Sequence, residues 1–249
     1  MVYNTEASNT IICFHGFGQE ATAYEWLAKA EPQLKVISID LFFHGKSVLA
    51  TGSPLTPPNW KAYFNFLIEQ ENLTQFSLAG YSLGGRFALT TFRLYPQRVK
   101  AIYLSAADGI VASRLYKIAT GTAVMRSVFK GMLNSYPAFI KISNALTRLG
   151  ILNKGLQKFA LLHMKEASER VRIYNSWTAF RLMKLSPKRI AQISVKHQIP
   201  VHIALGKFDR VIPVDRIKPH LIQNQFLDYK TVDITHGKLF YYNFWLSSN

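Results

Sequence analysis

The 249-residue chain contains a single cysteine, Cys13. One thiol cannot close an internal disulfide, so the fold does not depend on an oxidising compartment. Acidic residues are scarce as well: 14 Asp and Glu stand against 30 Lys and Arg, a formal charge of +16. No run of about 18 uncharged apolar residues occurs, which argues against a membrane-spanning helix. Met1 to Thr10 is polar, carries Glu6 and lacks a basic start, so it does not read as a signal peptide. A cytoplasmic location is the expectation. With 10 prolines and 14 glycines, the chain is neither collagen-like nor of low complexity. What is present is apolar: 49% of residues are hydrophobic. That content excludes a mainly disordered chain, and the length suffices for a self-sufficient core.

The positive charge is concentrated. Residues 111–190 hold 15 Lys or Arg and two acids, Glu166 and Glu169, whereas the rest of the chain holds 15 Lys or Arg and 12 acids. Such local asymmetry marks either an inserted element with its own surface role or a solubilising surface. No nucleic-acid recognition signature accompanies the charge, so a nucleic-acid partner is not expected.

Apolar runs and amphipathic stretches alternate. Thr10 to Phe14, Val36 to Asp40, Phe76 to Ala79, Val99 to Leu104, Pro200 to Leu205 and Phe226 to Ile234 read as strands. Glu20 to Ala30, Asn59 to Glu69, Leu83 to Tyr95 and Lys238 to Leu246 read as helices. Residues 111–190 break the alternation and read as several amphipathic helices, with breaks at Pro137, Gly150 and Gly155. The pattern predicts an α/β fold with a mostly parallel sheet and helices on both faces. Ligands of such sheets sit beyond the carboxyl ends of the strands.

The chemistry-bearing residues fall at those ends. Gly80-Tyr81-Ser82-Leu83-Gly84 follows a strand and opens a helix, the setting in which a sharp turn exposes a serine hydroxyl. A serine nucleophile needs a base, and the base needs an orienting carboxylate. Asp209 follows the strand ending at Gly206, and its rival Asp215 falls in the next helix. His236 follows the last strand, whereas His220 sits in a predicted helix; His163, His197 and His202 read as core or surface residues. His15-Gly16-Phe17-Gly18 follows the first strand, where a backbone N–H can face a reacting carbonyl. Phe17 and Leu83 are the candidate oxyanion donors, and His15 is expected to hold the loop by hydrogen bonds.

These blocks, with Asp40 to Ser47 and Gly206 to Pro213, resemble the α/β-hydrolase fold superfamily over nearly the whole chain. The resemblance implies Ser82 as nucleophile, His236 as base and Asp209 as orienting acid. It also implies a core of residues 1–110 and 191–249, and a helical basic cap over the site at 111–190. Two departures stand out. Phe42-Phe43 replaces the usual Pro-Gly, which makes the aromatics of this loop, Phe43 among them, candidate pocket residues, and the N-terminal hairpin is shortened or lost.

Three functions follow as expectations. The first is hydrolysis of a small ester or related acyl bond, with no metal or organic cofactor. The second is a lyase: Tyr81 to Arg86 is similar to the elbow of the menaquinone-pathway succinyl-hydroxy-cyclohexadiene-carboxylate synthases, which eliminate pyruvate. In that reading Arg86, assisted by Arg114, contributes to binding an anionic substrate, against the plainer reading of Arg86 as a solvated or salt-bridged helix residue; Tyr81 is a further candidate substrate-binding residue. The third is a lipid esterase or peripheral binder that docks on an anionic membrane through the basic cap.

Overall fold

The alternating pattern produces a seven-stranded sheet flanked by helices. The computed structural model describes residues 1–50, 53–152 and 154–244, without the side chains at 159 and 163. The chain forms two compact units. One comprises Met1–Val48, Leu55–Val111 and Leu182 onward; the other is built on Ala112–Arg181.

The first unit opens with β1 (Val2–Tyr3), β2 (Asn9–Phe14), α1 (Glu25–Ala30), β3 (Leu34–Ile39), α2 (Pro57–Gln70), β4 (Phe76–Tyr81), α3 (Gly84–Leu94) and β5 (Val99–Ser105). The second unit contributes α4 (Arg114–Gly121), α5 (Ala123–Asn134), α6 (Tyr136–Arg148), α7 (Lys154–His163) and α8 (Ala167–Ala179). The first resumes with α9 (Pro187–His197), β6 (Val201–Gly206), α10 (Val214–Ile217) and β7 (Leu227–Val232).

The strand order is β1-β3-β2-β4-β5-β6-β7. Every neighbouring pair is parallel except β1 with β3, where Val2 faces Ile37 and Tyr3 faces Val36. Only the two-residue β1 precedes β2, and it pairs with β3 rather than with β2, so no hairpin forms there. From β2 the chain turns one way to β3 and the other way to β4. The carboxyl ends of β2 and β4 therefore flank a topological switch point, where a crevice forms in open α/β sheets.

Burial follows from this order. Ile11, Ile12, Cys13 and Phe14 of central β2 have no exposed surface, as a parallel strand covered on both faces requires. Pro57 and Pro58 preset the first turn of α2, and Thr56 Oγ1 caps it by accepting from Asn59 N at 3.3 Å. Trp60, Phe64 and Ile68 then recur every four residues and turn inward. Trp60 packs edge-on to Phe87 of α3, centroids 5.0 Å apart, and its Nε1–H donates to Thr91 Oγ1 at 2.8 Å. Each such buried ring contributes roughly 2–3 kcal/mol.

Some elements differ from expectation. The stretch Glu20 to Ala30 splits into a 3-10 turn (Ala21–Tyr24) and α1. Pro137 sits in the first turn of α6 and Gly150, at φ +70°, lies just beyond its end, but Gly155 is inside α7 and breaks nothing. The expected terminal helix is a 3-10 helix at Gly237–Tyr241, and the expected positions 245 and 246 lie outside the described residues. Among the described residues no helix is long and apolar enough to cross a membrane.

Candidate active site

Ser82 stands between the end of β4 and the start of α3 with φ +48°, in the left-handed region. A non-glycine residue there costs on the order of 1 kcal/mol or more and persists only when its surroundings fix it. Three backbone hydrogen bonds do so. Ser82 N–H donates to Ser105 O at 3.0 Å, and Ser82 O accepts from Asp108 N at 2.8 Å and Gly85 N at 2.9 Å. The flanking glycines are sterically required. A Cβ on Gly84 would lie 1.9 Å from Phe14 O, one on Gly80 2.8 Å from Ala88 Cβ, and one on Gly85 2.5 Å from Ala107 Cβ.

The other two candidates arrive from the ends of β6 and β7. His236 Nε2 lies 3.1 Å from Ser82 Oγ, and His236 Nδ1 lies 2.7 Å from Asp209 Oδ2. The second oxygen of Asp209 accepts from Val211 N and Ile212 N, each at 2.8 Å. The carboxylate is thus held on three sides and buried. Asp215 is exposed in α10, and His220 is exposed in a separate 3-10 turn. His202 pairs with Asp228 at 2.8 Å, away from these groups, and the side chain of His163 lies outside the described residues. Tyr81 packs its ring 5.3 Å from the His236 ring and donates its hydroxyl to His236 O at 3.2 Å. Burial, with Asp209 nearby, pushes its phenol well above the ordinary range, so it remains a neutral donor.

The first loop is pinned by His15, which is fully buried. Its Nε2 accepts from Leu41 N at 3.1 Å, which leaves the proton on Nδ1 to donate to Gly16 O at 2.7 Å. Burial lowers its pKa, so the ring is a neutral strut, as expected. Gly16 N also donates to Gln19 Oε1 at 2.8 Å, and Phe17 follows with its ring edge-on to His44 at 5.2 Å. Leu83 lies directly after Ser82 at the mouth of α3.

The remaining candidates are placed as follows. Phe43 adopts φ +69°, and its N–H closes the loop on Ser47 O at 2.9 Å. It is Phe42, packed on Tyr63 at 5.0 Å, that lines a cavity of about 190 Å³ with Trp60 and Phe64; neither Ser82 nor His236 lines that cavity. Arg86 is 1% exposed, and its Nε donates to Asp108 Oδ2 at 2.7 Å and its Nη1 to Met183 O at 3.2 Å. Its geometry matches the salt-bridged reading. Asp108 and Met183 were invisible as its partners in the sequence, because no local spacing links them. Arg114 is an exposed first-turn residue of α4 in the second unit. No group of three or more His, Cys, Asp or Glu suited to a metal occurs among the described residues.

Residues 9–232 match the family described as the alpha/beta hydrolase fold, and the chain belongs to that family. Two curated relatives are more specific. One, from Bacillus subtilis, is named as a 2-succinyl-6-hydroxy-2,4-cyclohexadiene-1-carboxylate synthase; it is 32% identical over 108 residues, 40% of this chain and 37% of its own length. The other is a 2-hydroxy-6-oxo-2,4-heptadienoate hydrolase of Pseudomonas putida, 26% identical over 113 residues, 44% of this chain and 41% of its own length. The matches thus span well under half of either relative. Among solved structures, a thermophilic esterase from Thermogutta terrifontis superposes with a TM-score of 0.66 at 15% identity, over 95% of this chain and 85% of that one. A hydrolase from Pseudomonas aeruginosa gives 0.62 at 17% identity, over 95% and 86%. These likenesses establish the fold.

Proposed function

We propose that the chain is a serine hydrolase that cleaves a small ester or related acyl bond. The observation that carries this reading is the pair of contacts at one imidazole: Ser82 Oγ at 3.1 Å on Nε2 and Asp209 Oδ2 at 2.7 Å on Nδ1. With Nδ1–H held by the carboxylate, the lone pair of Nε2 faces the hydroxyl, the tautomer that proton abstraction needs. Ser82 Oγ attacks the carbonyl carbon as its proton passes to His236. The oxyanion is held by the N–H groups of Leu83 and Phe17, each donor worth about 3–4 kcal/mol of transition-state stabilisation. His236 returns the proton to the leaving group, and water then cleaves the acyl-enzyme by the same steps. In this reading residues 111–190 serve as the cap.

A second reading is favoured by the relative named as a cyclohexadiene-carboxylate synthase. Here the same three residues abstract a proton and eliminate pyruvate from an anionic substrate. A panel of short and long p-nitrophenyl esters separates the two. The hydrolase reading predicts turnover that vanishes in Ser82→Ala. No turnover of any ester, together with pyruvate release from the synthase precursor, would replace it with the lyase.

A further inference from the structure

We propose that the outer face of α6 and α7 docks on an anionic lipid surface. Residues 141–165 contain five Lys or Arg and no acid. All five cations, Lys141, Arg148, Lys154, Lys158 and Lys165, are exposed, and none enters an ion pair among the described residues. Large apolar side chains stand out among them: Leu149 is 72% exposed, Leu162 75%, Ile151 54% and Ile142 41%.

The two helices that carry most of these residues are tied to each other. Gln157 Nε2 donates to Asn144 Oδ1 at 2.7 Å, and Tyr136 Oη donates to Leu161 O at 3.2 Å, which ties α7 back onto α6. On α7, Lys154, Lys158 and Leu162 recur every four residues and share one side. Ile142 on α6 and Leu149, the residue that ends it, are seven apart, with Lys141 and Arg148 beside them.

The mixture selects the partner. A phosphate backbone rewards the cations but not exposed leucines. A second copy of the chain would bring the same five positive charges against themselves, and a face without acids is not self-complementary. A bilayer carrying anionic headgroups satisfies both components: its charge attracts the lysines, and its interface accepts apolar side chains.

Co-sedimentation of the full chain with vesicles tests this. One set is phosphatidylcholine alone, and the other has one part phosphatidylserine to two parts phosphatidylcholine. The protein is expected to pellet with the second set, to stay in solution with the first, and to be released by high salt. Each cation at such a surface is worth roughly fivefold in partitioning, so Lys154→Gln/Lys158→Gln weakens binding roughly thirtyfold. Lys141→Gln/Arg148→Gln is a second pair with the same expectation, should the first fail to fold. Leu149→Ser, with every charge kept, weakens binding roughly tenfold. Ser82→Ala is expected to bind as the wild type does, so docking stands or falls apart from the hydrolase reading. Indifference to phosphatidylserine, or charge variants that bind undiminished, would overturn the proposal. Capture by heparin without vesicle binding would reassign the face to a polyanion. Self-association that Leu149→Ser abolishes, again without vesicle binding, would reassign it to a second copy.

Discussion

Replacing Asp209 by Asn probes the imidazole from behind without altering its volume. In the wild type one carboxylate oxygen accepts two backbone N–H groups at 2.8 Å, and the other faces His236 Nδ1 at 2.7 Å. An amide has one oxygen and one NH2. If its oxygen keeps the two backbone donors, the NH2 points at Nδ1, which must then accept. The ring proton moves to Nε2, and His236 can no longer take a proton from Ser82. The flipped amide sets an NH2 against two N–H donors, an arrangement costlier by a few kcal/mol. The first orientation therefore prevails. The expected result is a loss of about ten-thousandfold in kcat, the size of effect a wrong tautomer produces elsewhere. Stability changes by only about 1 kcal/mol, or roughly 2–4 °C in Tm, because the backbone donors remain satisfied. The assay is turnover of the best p-nitrophenyl ester, alongside a thermal melt. A folded Asp209→Asn variant that keeps more than about a tenth of wild-type turnover would refute the argument that this carboxylate sets the tautomer.

Three further outcomes follow from the packing. Asp108→Ala strips the partner from a guanidinium that is 1% exposed and should cost about 3 kcal/mol by urea unfolding; a loss under about 1 kcal/mol would show that the pair is not structural. Gly84→Ala drives a methyl onto Phe14 O and should destabilise by at least about 3 kcal/mol, whereas Gly131→Ala, with open space around it in α5, should stabilise by about 0.5–1 kcal/mol. Equal effects of the two in parallel melts would contradict the steric account of the elbow. His15 carries a pKa depressed by burial. The unfolded chain therefore binds the proton more readily, and stability must fall as pH drops below about 6.5 toward the folded value. Urea midpoints at pH 7.5 and 5 should diverge more in the wild type than in His15→Asn, and equal divergence would assign the pH dependence to other groups.

The elbow was legible because its constraint is local. Ser82 at positive φ, Gly84 against Phe14 O and Gly80 against Ala88 are consequences of one tight turn, so five consecutive residues carry the whole signal. Asp209 and His236 were legible from their places after strands, since sheet topology brings all such ends to one edge. The hydrogen bonds of His15 to its loop were expected from the chain order of the motif, which places the base after the acid. Arg86 was different. Its partner Asp108 is 22 residues away, and only tertiary packing decides that a helical arginine turns inward. Phe42 lines the aromatic cavity with Trp60 and Phe64 of α2, a partnership that tertiary packing sets and local spacing does not show. Gly155 falls in the first turn of α7, so it lies next to the interruption between α6 and α7 rather than at it.

The central claim is that the hydroxyl of Ser82 is made nucleophilic by His236. A fluorophosphonate probe followed by intact and peptide mass spectrometry reads this without knowledge of the substrate. The account predicts one label per chain, on Ser82, absent in Ser82→Ala and slowed at least about a thousandfold in His236→Ala. Label on another residue, or a folded His236→Ala variant that labels at the wild-type rate, would contradict it.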